Sequence, residues 1–212
     1  MPHEFPLVIL MSPARIGGRR SNVLLRPEAD FALAERLRDR NATLGEAYAF
    51  ISGLYFRGKL AYAQAFAAPP RGVPPALVIV PGLGLISPDT MVDSEQLRRI
   101  GDVSIEENNL AYREPLLRDA TRLEQGAGPD CQYLLLGSIA TEKYTEPLLN
   151  VFRERLLFPA EFVGRGDMSR GGLMLRRASS GEQLSYIALQ GAIRRGRRPP
   201  KLAPWLKPGA PI

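Results

Sequence analysis

An α/β domain with a largely parallel central sheet flanked by helices is predicted, because apolar runs and amphipathic stretches alternate along the chain. Three short, almost wholly apolar runs, Leu7 to Met11, Ala76 to Pro81 and Tyr133 to Gly137, are each followed by helical spacing. That is the pattern of strands buried on both faces and joined by crossover helices. Length agrees, since 212 residues at 45% apolar content can bury one full core. The expected division is a single domain over residues 1–189 and a C-terminal tail over 190–212. No heptad run, internal repeat or low-complexity tract is visible.

Taken in order, Leu7 to Met11 reads as the first strand. Pro27 to Arg40 reads as a helix: Pro27 precedes an acidic first turn, and Phe31, Leu33, Ala34 and Leu37 give helical spacing. Leu54 to Phe66 is a second helix, with Tyr55, Lys59, Tyr62 and Phe66 three or four apart. Ala76 to Pro81 is a buried strand. Asn109 to Gln125 is helical, with Pro115 marking a break or a late start. Tyr133 to Gly137 is a buried strand, and Glu142 to Arg155 the helix after it. Strands at Leu173 to Arg176 and Leu184 to Leu189, with Ser179-Ser180-Gly181 between them, suggest a C-terminal β-hairpin.

Composition removes several chemistries. His3 is the only histidine and Cys131 the only cysteine, so a Ser-His-Asp triad, a Cys-His pair, an internal disulfide framework and a Cys/His metal site are all excluded. Cys131 precedes an apolar run and reads as a buried strand-edge thiol. The longest apolar stretch, Ala76 to Ile86, has 11 residues and contains Pro81, Gly82 and Gly84, too short and broken to span a bilayer. With Glu4 and Pro6 ahead of Leu7 to Met11, no secretory signal pattern is present. A cytoplasmic protein is expected, with no membrane partner.

The net charge of +6 resides in one place. Residues 190–212 hold Arg194, Arg195, Arg197, Arg198, Lys201 and Lys207 and no acid; the remaining 22 cations match 22 acids. This basic, Pro-rich tail is expected to be extended. It reads either as an arm that runs along phosphates or as a solvated terminus. Trp205 suggests that part of it docks on the body.

Candidate chemistry gathers at the carboxyl ends of the three strands. The first runs into Ser12-Pro13-Ala14-Arg15, the second into Pro81-Gly82-Leu83-Gly84 and then Ser87-Pro88-Asp89-Thr90, the third into Gly137-Ser138 with Lys143 and Tyr144 one turn on. Open α/β sheets bind ligands at this edge. Gly-x-Gly has no third glycine here and no Gly-Lys-Ser/Thr follows it, so no dinucleotide or P-loop cofactor is expected. Further on, Arg165-Gly166-Asp167-Met168-Ser169-Arg170 sets two guanidiniums, a carboxylate and a hydroxyl beside Gly171-Gly172. Arginine forks suit phosphate or carboxylate; the alternative is a salt-bridged turn before a strand.

Read in order, these segments resemble the YaaA family of bacterial peroxide stress-response proteins. "VILMSPARIGG" resembles its strand followed by Ser-Pro-Ala-Lys, with Arg15 in the lysine position. "FISGLYFRGKLAYAQAF", "VIVPGLGLISPDTM" and "LLLGSIATEKY" resemble its tyrosine helix, its Gly-Leu-Tyr-Gly loop and its later strand end. "GRGDMSRGGLMLR" matches its Arg-Gly-x-Met-Ser-Arg segment, whereas "MVDSEQLRRIG" departs from the family's Pro-Tyr-Arg-Leu-Glu-Met. The resemblance spans about residues 7 to 178. It implies a shared fold, a basic cleft and binding of nucleic acid under oxidative stress.

Two functions stand out, with docking of the tail on another protein as a third. In the first, nucleic acid or nucleotide-like anions are bound, with the tail, Arg165 and Arg170 on phosphates and Tyr55 or Tyr62 stacking on bases. In the second, an enzyme acts on a nucleoside, nucleotide or other small anionic metabolite. Arg15, Arg165 and Arg170 would then clamp the anion, with hydrogen bonds from Ser12, Ser138 and Ser169. Asp89 or Asp167 would move the proton, or else Lys143 or Tyr144, although Asp167 could equally pair with a neighbouring arginine.

Overall fold

The structure, a computed structural model, describes residues 5–202. In chain order its elements are β1 (Leu7–Met11), α1 (Arg19–Leu24), α2 (Ala32–Arg38), β2 (Ala42–Thr43), α3 (Leu44–Ser52), α4 (Leu54–Phe66), β3 (Ala76–Val80), β4 (Gly84–Ile86) and β5 (Met91–Val92). There follow α5 (Ser94–Asp102), α6 (Leu110–Ala127), β6 (Gln132–Leu136), α7 (Glu142–Phe152), β7 (Leu156–Pro159), α8 (Asp167–Ser180) and β8 (Tyr186–Ala188).

Leu7, Ile9 and Met11 of β1 face one core, and Val8 and Leu10 the other, because successive side chains leave opposite faces of a strand. Helices α3, α4 and α8 cover the first face, α6 and α7 the second. The sheet runs β4-β3-β1-β6-β7-β8. Its four inner strands are parallel and its edge strands, β4 and β8, antiparallel. The sequence expectation of a largely parallel sheet flanked by helices therefore holds, and Cys131 is buried beside β6. Among the described residues no helix is long and apolar enough to cross a membrane.

Strand order sets the place of the site. From β1 the chain crosses to β3 on one side; from β6, the other neighbour of β1, it crosses to β7 on the opposite side. The loops leaving β1 and β6 thus diverge, opening a crevice at a topological switch point.

Several elements differ from the sequence reading. The antiparallel pair at the C-terminal edge is present, but it joins β7 to β8 with α8 between them. Leu173 to Arg176 is helical, not a strand. Its Gly171 serves a helix crossing rather than a turn: a Cβ there would lie 2.6 Å from the Leu54 carbonyl oxygen of α4. Pro115 neither breaks nor delays α6, since the missing N–H leaves only one carbonyl of the first turns without an intrahelical donor. The helix expected from Pro27 shrinks to α2, and that expected to Arg155 stops at Phe152, where Arg153 takes φ 54°. Helices α3 and α5 were not read from the sequence, yet each starts with a capping box, Thr43 with Glu46 and Asp93 with Gln96.

Candidate functional site

A crevice of about 420 Å³ opens at the switch point, lined by Pro13 to Ile16 after β1, Pro81 after β3, the loop after α5, and Lys143 and Tyr144 of α7. Among the described residues its only charged lining residues are Arg15 and Lys143, and no carboxylate faces it. The amino end of α7 lies beside it, so backbone donors add to the two cations.

Behind the crevice lies a cluster centred on a residue that the sequence reading treated only as a spacing position. Lys59 of α4 is 1% exposed. Its Nζ lies 2.8 Å from the Ser12 carbonyl oxygen and 2.7 Å from Ser12 Oγ, and 4.0 Å from the centre of the Tyr55 ring. Burial pushes the Lys59 ammonium down to about 7, with Asp167 opposing and Arg170 reinforcing the shift. A neutral amine is therefore well populated near neutral pH. The available sequence signal was a lysine inside the apolar stripe Tyr55, Phe56, Lys59, Tyr62, Phe66 of α4.

The Arg165 to Arg170 segment is the start of α8, with Gly166 as its N-cap, rather than a loop. Arg170 is buried; its Nε and Nη2 donate to the Phe162 carbonyl at 3.3 and 3.1 Å. Its Nη1 stands 3.7 Å from Asp167, whose side chain is 67% exposed. The pairing alternative for Asp167 is thus realised, though loosely. Arg165 donates to the Glu161 carbonyl, to Ser169 Oγ and to the Pro200 carbonyl. Arg165 thus holds both Ser169 and the tail. Ser138 Oγ accepts from the Ala140 amide at 3.4 Å and shapes its own turn.

Tyr55 joins the two halves of the site. Its hydroxyl is buried and closes no hydrogen bond of normal geometry among the described residues, although Ser12 and Arg170 are among its polar neighbours. Burial pushes it up to about 12, so it remains protonated. Tyr144, which lines the crevice, is raised first by burial and then by Tyr55 and Asp167. The Ser12 bend and the start of α8 therefore share one neighbourhood.

Two expectations change. Asp89 lies away from the crevice, in a separate pocket with Pro75, Ala76 and Thr43. The cause is β4, which reverses along β3 and returns the chain to the amino end of the sheet. Tyr55 and Tyr62 are 6% and 0% exposed, so neither can stack on a base; Tyr62 Oη instead meets Tyr186 Oη at 2.6 Å and accepts from the Leu184 amide. The tail docks in its described part: Arg194 approaches Thr145 and Glu142, Arg195 donates to the Ala140 carbonyl, and Leu202 packs on the first core. Arg195, Arg197 and Arg198 remain exposed. His3, Trp205 and Lys207 lie outside the described residues.

Comparison with models of known families, with curated proteins and with solved structures finds no match for this chain.

Proposed function

We propose that the chain binds a phosphate-bearing, nucleotide-like ligand in the switch-point crevice. One observation carries this reading: Arg15 and Lys143 face a cavity of about 420 Å³ that no carboxylate of the described residues lines. Two cations with no countercharge among the described lining residues, at a helix amino end beside low-dielectric walls, favour an anion over any neutral molecule. Apolar walls from Ile100, Val103 and Ile105 leave room for a base-sized group. The motif order that resembles the YaaA family supports the same reading, placing the ligand in a cytoplasmic oxidative-stress response. In calorimetric titration with a nucleoside monophosphate, Arg15→Glu and Lys143→Glu are each expected to weaken binding at least about tenfold, the effect of roughly 1.4 kcal/mol. Asp89→Asn should leave it unchanged. Equal affinity of all three variants would remove the reading.

A second reading, nucleic acid, is favoured by the tail. Arg195, Arg197 and Arg198 stay exposed where it crosses the loop after β6, so they can extend the crevice charge along a phosphate chain. Replacing all three by serine should make the log-log salt slope of duplex binding shallower by about 2.7, that is ~0.9 for each lost contact. An unchanged slope would leave the tail no phosphate-binding role.

A further inference from the structure

We propose that Ser12 and Lys59 form a nucleophile–base pair that transfers acyl groups from small anionic esters or amides. The pair has the geometry that such chemistry requires. Ser12 Oγ and Lys59 Nζ are 2.7 Å apart, within direct proton-transfer range. The Ser12 carbonyl accepts an N–H from the same Nζ at 2.8 Å, which ties the amine to the Ser12 bend. The Ser12 hydroxyl donates only a long, 3.5 Å bond to the Leu136 carbonyl that it can exchange for the neutral amine. A lysine serving only to pin a loop would lie most stably as an ammonium paired with a carboxylate. Lys59 makes no ion pair within 4 Å among the described residues; Asp167 pairs with Arg170 instead. The amine is held dry and close to its neutral form, as a base working near pH 7 must be.

An independent observation points to the reacting group. The Tyr55 hydroxyl is buried and closes no hydrogen bond of normal geometry among the described residues; Arg170 and Ser12 are its polar neighbours. A buried hydroxyl left unpaired carries a desolvation cost, which a developing oxyanion at Ser12 would offset. Ser12 itself is 5% exposed, and Pro13, the next residue, lines the crevice.

The step balances without any cofactor. Lys59 Nζ takes the Ser12 hydroxyl proton as Oγ bonds to the carbonyl carbon, and Tyr55 Oη donates to the oxyanion. The C–O or C–N bond to the leaving group then breaks, and that group takes the proton from Nζ. Water repeats the sequence: it gives a proton to Nζ and its oxygen to the acyl carbon, the Oγ–C bond breaks, and Ser12 regains the proton. The sum is ester or amide plus water giving acid plus alcohol or amine. Only the negative charge assigned to the substrate rests on the crevice reading.

The test is covalent labelling of the full chain with an uncharged alkyl fluorophosphonate, read by intact mass and peptide mapping. One adduct on Ser12 is expected, its rate rising about tenfold from pH 6 to pH 8 as the amine loses its proton. Ser12→Ala should abolish the adduct, and Lys59→Met should slow labelling at least about tenfold and flatten the pH profile. The probe carries no charge, so its labelling is read independently of the nucleotide titration and the two readings can fail separately. Because Lys59→Met alters a buried site, Ser12→Cys provides a second readout. Its new thiol should react with iodoacetamide well ahead of the buried Cys131, again with a profile that depends on Lys59. No Ser12 adduct in a folded wild-type chain, together with an inert Ser12→Cys thiol, would overturn the proposal and leave Lys59 a loop anchor.

Discussion

Replacing Gly171 by alanine is expected to lower the unfolding free energy by ~3 kcal/mol or more, the upper range for forced overpacking. The new Cβ would sit 2.6 Å from the Leu54 carbonyl oxygen and 2.8 Å from Tyr55 Cα. Both are backbone atoms of α4, so no rotamer change can relieve the contact. Gly58 is the reciprocal position, its Cβ falling 2.6 Å from the Gly171 carbonyl oxygen. The helices would have to separate, carrying Arg170 and Asp167 away from Lys59 and Tyr55. The adjacent glycine makes a sharp control. At Gly172 a Cβ meets nothing nearer than Leu202 Cδ1 at 3.7 Å, so Gly172→Ala should instead stabilise α8 by ~0.5–1 kcal/mol through helix propensity. Denaturant unfolding of the two variants checks this. Similar midpoints would mean that α4 and α8 do not cross this closely.

The second large effect concerns pH. Lys59 has a folded pKa of about 7 against an ordinary 10.5. Between those values the unfolded chain holds the proton and the folded chain does not, so this group makes stability rise with pH. Below about pH 7 both states hold it and the burial penalty is complete; above about pH 10.5 neither does and the penalty is gone. The slope in between is ~1.4 kcal/mol per pH unit. Asp167 and Arg170 are the charged groups that face Lys59. Lys59→Met removes the contribution. The difference in unfolding free energy, wild type minus variant, should therefore climb by ~3–5 kcal/mol between pH 6 and pH 10. Taking the difference cancels the tyrosines that titrate near the top of the range. A flat difference would mean that Lys59 is charged in the folded protein, and the base assigned to Ser12 would be lost with it.

What was legible in the chain follows from the range of the interactions involved. The boundaries of β1 and α4 match the sequence reading because each element carries its own apolar period within a few residues. Arg15, Lys143 and Tyr144 were placed together correctly because the ends of parallel strands form one edge. Asp89 was misplaced because a three-residue strand, β4, reverses the chain between Gly84 and Ile86, too short to leave a period. Leu173 to Arg176 looked like a strand because Gly171-Gly172 signals a turn locally, whereas their smallness serves a helix crossing whose other half is Gly58.

The amino-acid sequence by itself determined the alternation of strand and helix, the single histidine and single cysteine, and the concentration of positive charge in the tail. Local periodicity and residue counts suffice for these. Only the tertiary structure decided that Lys59 meets Ser12 across 47 positions of chain and that the Tyr55 hydroxyl is buried beside them without a hydrogen bond of normal geometry among the described residues. An amine loses its ordinary basicity through the removal of water from every side, and that depends on how β1, α4 and α8 close together rather than on any neighbour in sequence.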